Sequence, residues 1–143
     1  MTVANILGNK GRNVFTLRPD QSVKDACSLL SAKKVGALII CDGGGTVVGV
    51  LSERDIVNAI SQFGATVLEM PLRNFMSDQV VSCKPQDQPK FLMEVMSQRR
   101  IRHLPVIERG ELIGVVSMGD LVHDRLKETE TERNVLRDLA VVR

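Results

Sequence analysis

Two short stretches carry the residue types best suited to chemistry. They are Gly49-Val50-Leu51-Ser52-Glu53-Arg54-Asp55 and Gly114-Val115-Val116-Ser117-Met118-Gly119-Asp120. Each places a hydroxyl three residues before a carboxylate, with a glycine three residues earlier still. Two readings fit. In one, S-x-x-D is a capping arrangement: the serine oxygen takes a free N–H of a helix start, and the acid lies in the positively polarised first turn. In the other, the same turn grips a sugar phosphate. Unpaired N–H groups at a helix start attract phosphate. A serine hydroxyl donates to a phosphate oxygen, and a carboxylate one turn in accepts from ribose hydroxyls. Glycine weakens a strand unless something must come close to the backbone there. Glycine, hydroxyl and carboxylate on one strand-to-helix turn therefore suit a ribonucleotide. The spacing alone is weak; its duplication in a matched context strengthens it.

The sequence around these turns is itself duplicated. Val48 aligns with Ile113, 65 residues on, and Pro19 with Pro85, 66 residues on. The one-residue difference falls at the turn where CDGGGTVVG meets IERGELIG. Thr16 matches Ser82, Val35 matches Ile101, Leu38 matches Leu104 and Ile40 matches Val106. A match of this extent reads as internal duplication, and two copies suit half-modules packed on each other. Each copy predicts strand, helix, strand, strand, helix, an α+β pattern. The first strand is VFTL or VVSC, ended by a proline. A helix follows. VKDACSLLSAKK has an apolar stripe of Val23, Ala26, Cys27, Leu29 and Leu30; PKFLMEVMSQRR repeats it with Phe91, Leu92, Val95 and Met96. Asp42-Gly43-Gly44-Gly45 divides one pair of apolar runs and Arg109-Gly110 the other, a hairpin signal in both copies. A last helix starts at Ser52 or Ser117. The expected organisation is an N-terminal helix or extension at 1–12, a first repeat at 13–65, a linker at 66–78, a second repeat at 79–126 and a helical tail at 127–143. The tail carries Val135, Leu136 and Leu139, and both ends are candidate clasps for a second subunit.

Composition narrows the function. The 143 residues are 43% hydrophobic and 25% charged, as in a globular domain. Aromatic residues make up 3%, without Trp or Tyr, so a ring-shaped ligand must lie against aliphatic side chains. A net charge of +2 is too small to argue for nucleic acid by itself. Arg99-Arg100-Ile101-Arg102-His103 is the one footing for an alternative reading as a nucleic-acid-binding accessory protein, and it lacks base-stacking aromatics. Cys27, Cys41 and Cys83 have no close pairing and read as reduced thiols. With His103 and His123 the only imidazoles, no nucleophile–base pair, metal set or acid pair is apparent. The expectation is a cytoplasmic, non-enzymatic protein with no metal, catalytic cofactor or membrane span.

The doubled motif closely resembles a tandem pair of cystathionine β-synthase (CBS) domains, a Bateman module, over about residues 5 to 126. In that family G-h-x-[ST]-x-x-[DN], with h apolar, closes each repeat, and both copies fit at every required position. The family's Thr or Ser three residues before a proline appears as Thr16 before Pro19 and Ser82 before Pro85. Its h-P-V-h-[DE] strand appears as Leu104-Pro105-Val106-Ile107-Glu108; the first repeat, Leu38-Ile39-Ile40-Cys41-Asp42, lacks the proline. The resemblance implies two repeats packed with pseudo-two-fold symmetry and two clefts, each able to hold an adenosine ligand. AMP, ADP or ATP come first, then NAD(H), with S-adenosylmethionine last. Asp55 and Asp120 would hold ribose hydroxyls, and Ser52 and Ser117 would contact phosphate, with Gly49 and Gly114 at the same turns. Thr16 and Ser82, with the backbone near Val14 and Val80, would border adenine. Arg54, Arg102 and His103 would reach phosphates, and Ala37 is the counterpart of His103. The repeats differ here: Arg54 stands against Gly119, and RRIRH against Lys33-Lys34-Val35-Gly36-Ala37. The clefts are therefore expected to differ in affinity or ligand. The resemblance further implies a stand-alone regulatory sensor, a homodimer, and a regulated protein partner of unknown identity.

Overall fold

The computed structural model describes residues 2–11 and 14–141, with side chains through Thr129. Val135, Leu136 and Leu139 of the tail, and residues 12 and 13, lie outside what is described at side-chain level. In chain order the elements are α1 (Val3–Lys10), β1 (Thr16–Leu17), α2 (Val23–Lys33), β2 (Ala37–Cys41), β3 (Val47–Ser52) and α3 (Glu53–Phe63). Two 3-10 turns follow, Gly64–Glu69 and Leu72–Asn74. Then come α4 (Pro89–Arg99), β4 (His103–Glu108), β5 (Glu111–Ser117) and α5 (Met118–Val141).

In the first repeat β1 pairs parallel with β2, and β2 antiparallel with β3. In the second, β4 and β5 form the hairpin, and VVSC adds only a single parallel bridge from Cys83 to Val106. The shortening has a cause. In the first repeat Ile39 N–H donates to Phe15 O across the β1–β2 edge. The residue in Ile39's place is Pro105, which has no N–H to give. Contact is kept through Cys83, whose N–H donates to Pro105 O at 2.9 Å and whose carbonyl accepts from Ile107 N–H at 2.9 Å.

Each repeat buries its own aliphatic core. The first joins Val23, Ala26 and Leu30 of α2 to Leu38, Ile40 and Leu51 of the hairpin and Ile56 and Ala59 of α3. The second joins Leu92 and Met96 of α4 to Leu104, Val106, Val116 and Leu121. Ile39, whose side chain points away from the helix-facing layer, is also fully buried, so the first hairpin is covered on both faces.

Each core is completed by a segment from elsewhere in the chain. Val3, Ile6 and Leu7 of α1 lie in the second core, and Leu72 of the second 3-10 turn lies in the first. The docking bonds correspond one for one. Val3 N–H donates to Asp87 O and Ala4 N–H to Pro85 O; Leu72 N–H donates to Gln21 O and Arg73 N–H to Pro19 O. The segment that precedes each repeat thus completes the other one. The apolar face of α1, expected as a clasp for a second subunit, is buried within its own chain.

Candidate functional site

Both doubled turns are capping boxes. Ser52 Oγ accepts from Asp55 N–H at 3.2 Å, and Asp55 Oδ2 accepts from Ser52 N–H at 2.8 Å. The matching distances for Ser117 and Asp120 are 3.0 and 2.9 Å. A third box of the same type, Ser22 with Asp25, opens α2, so S-x-x-D by itself marks a helix start and nothing more. Position separates the doubled pair from the third. The Ser22 box is exposed, whereas the other two are partly buried at the open end of a hairpin. Ser52 stands opposite Ala37 and Ser117 opposite His103. In each box the serine oxygen accepts, which leaves its own proton for another acceptor.

At both strand glycines another part of the chain comes close to the backbone. A Cβ on Gly114 would meet Leu7 Cδ2 at 2.7 Å, and one on Gly49 would meet Met76 Sδ at 2.6 Å and Ser77 O at 3.1 Å. The close approach to each strand is made by the chain's own completing segment. Leu7 and Met76 are equivalent residues of those two segments.

The structure gathers Arg54, Arg102, His103 and Ser117 around one cleft of about 640 Å³, together with Met96, Ser97, Arg100, Ile101, Met118 and Gly119. Arg54 comes from the first repeat and the rest from the second, so the cleft lies between them. The His103 ring packs against the backbone of Gly36, where a Cβ would stand 3.4 Å from Nε2. The helix starts are set by these same neighbours: Glu53 N–H donates to Gly36 O at 3.0 Å and Met118 N–H to Arg102 O at 2.8 Å. Among the described residues three guanidinium groups and an imidazole line the cleft and no carboxylate does, although Asp120 and Glu53 lie close enough to act on His103. Arg100 was not singled out by sequence as a site residue. It caps α4 in the left-handed region at φ 55°, as Lys34 caps α2 at φ 54°.

Other expected residues lie elsewhere. Thr16 is exposed and borders a separate cavity of about 750 Å³ with Arg18, Gln21, the Gly43–Gly45 turn and Glu111. Ser82 is exposed, Val14, Val80 and Ala37 are half-buried, and none of them lines the arginine cleft. Asp55 sits in the first repeat's box and is likewise absent from that lining. Asp120 is absent from it as well: it borders a separate cavity of about 210 Å³ with Ile6, Asn9, Lys10, His123, Asp124 and Lys127, and there it is bound by Lys10, a residue sequence reasoning passed over, whose Nζ lies 2.6 Å from Oδ2.

The charges adjust to this setting. Burial, then Lys10, holds the His103 imidazole below its ordinary 6.5; Asp120 and Glu53 oppose this, and Arg102 adds to it. Burial would raise Asp120, but hydrogen bonds from Lys10 and from Ser117 bring it below its ordinary 3.8. Among the described residues no group of three or more His, Cys, Asp or Glu side chains could hold a metal ion, and no helix is long and apolar enough to cross a membrane.

Comparison with known proteins agrees with this architecture. A family model described as CBS domain matches residues 9–62 and 72–127. The CBS domain-containing protein YhcV of Bacillus subtilis is 31% identical over 113 residues, 79% of each chain. The crystal structure of the CBS-domain containing protein ATU1752 from Agrobacterium tumefaciens superposes with a TM-score of 0.84 at 40% identity, covering 87% of this chain and 92% of that one. The CBS domain pair of protein MJ0100, solved in complex with 5′-methylthioadenosine and S-adenosyl-L-methionine, shares the fold at a TM-score of 0.78 and 22% identity, covering 91% of this chain and 98% of that one.

Proposed function

The chain belongs to the CBS-domain family, and from that premise we propose that it is a regulatory protein that binds an adenine nucleotide between its two repeats. The observation that carries this reading is the arginine cleft. Its volume of about 640 Å³ fits a small ligand. Arg54, Arg100, Arg102 and His103, with Ser117 at a helix start, form an anion site with no opposing carboxylate in the lining. That chemistry favours a phosphate chain, as in ATP, ADP or NAD(H), over the sulfonium of S-adenosylmethionine. The adenosine half of the reading is supported by the MJ0100 complex. Asp55 and Asp120 accept ribose hydroxyls in this reading, and Thr16 and Ser82 border the base; all four lie outside the lining of the arginine cleft, so the nucleoside would extend beyond it.

The protein acts in the cytoplasm without catalysing a reaction. It passes its signal to a partner in trans or through its own oligomeric state, and ligand shifts that state only by binding one arrangement better. Val57, Ile60 and Phe63 of α3 and Val122 and Leu126 of α5 are exposed apolar residues that suit a homodimer contact.

Calorimetry with ATP, AMP, NAD+ and S-adenosylmethionine tests the proposal, beside mass spectrometry of small molecules released from the purified protein. ATP is expected to bind, and Arg102→Ala to weaken it about tenfold, the loss of one charge-assisted bond. Absence of binding by every adenine ligand would refute it.

A further inference from the structure

The N-terminal helix reaches the ribose corner of the second repeat. Lys10 Nζ donates to Asp120 Oδ2 at 2.6 Å and to Val115 O at 2.9 Å. The same Oδ2 already accepts Ser117 N–H at 2.9 Å. A carboxylate offers about four lone-pair sites, two on each oxygen. At Asp55 Oδ2 one is used, by Ser52 N–H. At Asp120 Oδ2 both are used. A ribose diol bridging both carboxylate oxygens therefore finds Asp55 open and Asp120 half-filled.

The difference comes from the chain itself. The residue that matches Lys10, 69 positions on, is Gln79, and Asp55 makes no ion pair among the described residues. Lys10 is well delivered. It ends α1, whose Val3, Ile6 and Leu7 are buried in the second core, with Leu7 seated over Gly114. The pair is still within reach of solvent, with side-chain exposures of 37% for Lys10 and 24% for Asp120, so it can open without unfolding the repeat.

We propose that Lys10 is an intrachain latch on the second cleft, holding Asp120 where ribose hydroxyls would bind, so that this cleft takes adenosine only when the ion pair opens. The latch rests on the reading of Asp120 as a ribose acceptor. Apparent affinity falls by the fraction of molecules with the pair open. A partly exposed pair is modest in strength, which sets the penalty at about fivefold.

The test is calorimetry with ATP in an Asp55→Ala background, where the second cleft is read alone. Lys10→Met keeps the apolar stem and removes the charge, and it is expected to bind ATP about fivefold tighter than its parent. Lys10→Arg keeps the latch and is expected to match the parent. A merely structural role for Lys10 would lower stability in urea without tightening ATP. Unchanged or weaker ATP binding by Lys10→Met would overturn the latch; if that variant fails to fold, Lys10→Gln gives the same reading. Failure of the wild-type chain to bind ATP, AMP or NAD+ at all would instead overturn the nucleotide reading, and the latch with it.

Discussion

Alanine at Gly114 decides whether the strand glycines serve packing or a ligand. The backbone does not forbid the change: the positive-φ glycines are Gly11, Gly45, Gly64 and Gly110. In open space Gly→Ala would stabilise by about 0.4–1 kcal/mol, by narrowing the freedom of the unfolded chain. The space is not open. The new Cβ would stand 2.7 Å from Leu7 Cδ2 and 3.1 Å from Cδ1, and Leu7 is 1% exposed. Overpacking of this kind costs about 1–3 kcal/mol. Because Leu7 is buried and cannot swing aside freely, the clash outweighs the chain-entropy gain, leaving a net loss centred on about 1 kcal/mol. Leu7→Ala alone empties the notch and costs about 2–5 kcal/mol. In the double variant the new methyl partly refills that notch, so the two losses do not add; a favourable coupling of about 1 kcal/mol or more is expected. Urea denaturation at neutral pH without nucleotide measures all four corners of the cycle. A Gly114→Ala protein as stable as wild type, or a cycle that closes additively, would refute the packing account. Unchanged stability with lost nucleotide affinity would restore the glycine to the ligand.

Four further outcomes follow from the same geometry. Lys34→Gly and Arg100→Gly each relieve a left-handed backbone and raise stability by about 1 kcal/mol, but only Arg100→Gly is expected to weaken ATP binding; equal effects on ATP would remove Arg100 from the site. Burial, and then Asp87, push the Cys83 thiol up to about 12, so timed alkylation read by mass spectrometry should label the half-buried Cys27 and Cys41 first and Cys83 only on unfolding. The native state disfavours the proton that an unfolded His103 takes up, so its share of stability is complete above 6.5 and is lost as pH falls below that value. The urea midpoint should drop across that step in wild type and less in His103→Gln; identical profiles would refute the assignment. Asp120 acts lower: its share is complete above 3.8 and is lost on further acidification.

What the sequence could show was local. The hairpins follow from Asp42-Gly43-Gly44-Gly45 and Arg109-Gly110, and α2 and α4 from apolar stripes that recur between the copies. The completing segments escaped because their evidence is long-range. VANIL and LRNFM share one identical residue, Asn5 with Asn74, over a stretch too short to stand out, and only the bonds to Pro85 and Asp87, or to Pro19 and Gln21, show that they do the same work. The lost strand at VVSC was legible in principle, since Pro105 removes the donor that Ile39 supplies, but only once the pairing partner was known. A glycine likewise announces close approach without saying by what.

The unequal clefts carry this furthest. Sequence placed the asymmetry at the phosphate end, in Arg54 against Gly119. The structure adds a second asymmetry, in Lys10 against Gln79: Lys10 binds Asp120, the proposed ribose acceptor, while Arg54 shares the arginine cleft with Ser117 of the same turn. Under the proposed reading they act in opposite senses: Arg54 would strengthen the grip on phosphate, while Lys10 would weaken the grip on sugar. A cleft built this way draws its affinity from ligand charge more than from the nucleoside. It should therefore separate ATP from AMP more sharply than the site the proposed reading places at Asp55, whose Oδ2 accepts only Ser52 N–H among the described residues and which has Gly119 in place of an arginine. Releasing Lys10 should improve AMP and ATP by the same factor, because both offer the same ribose, and leave their ratio unchanged. Removing Arg54 should narrow that ratio. A Lys10 variant that changed the ATP-to-AMP ratio would place the lysine on phosphate and not on the ribose carboxylate.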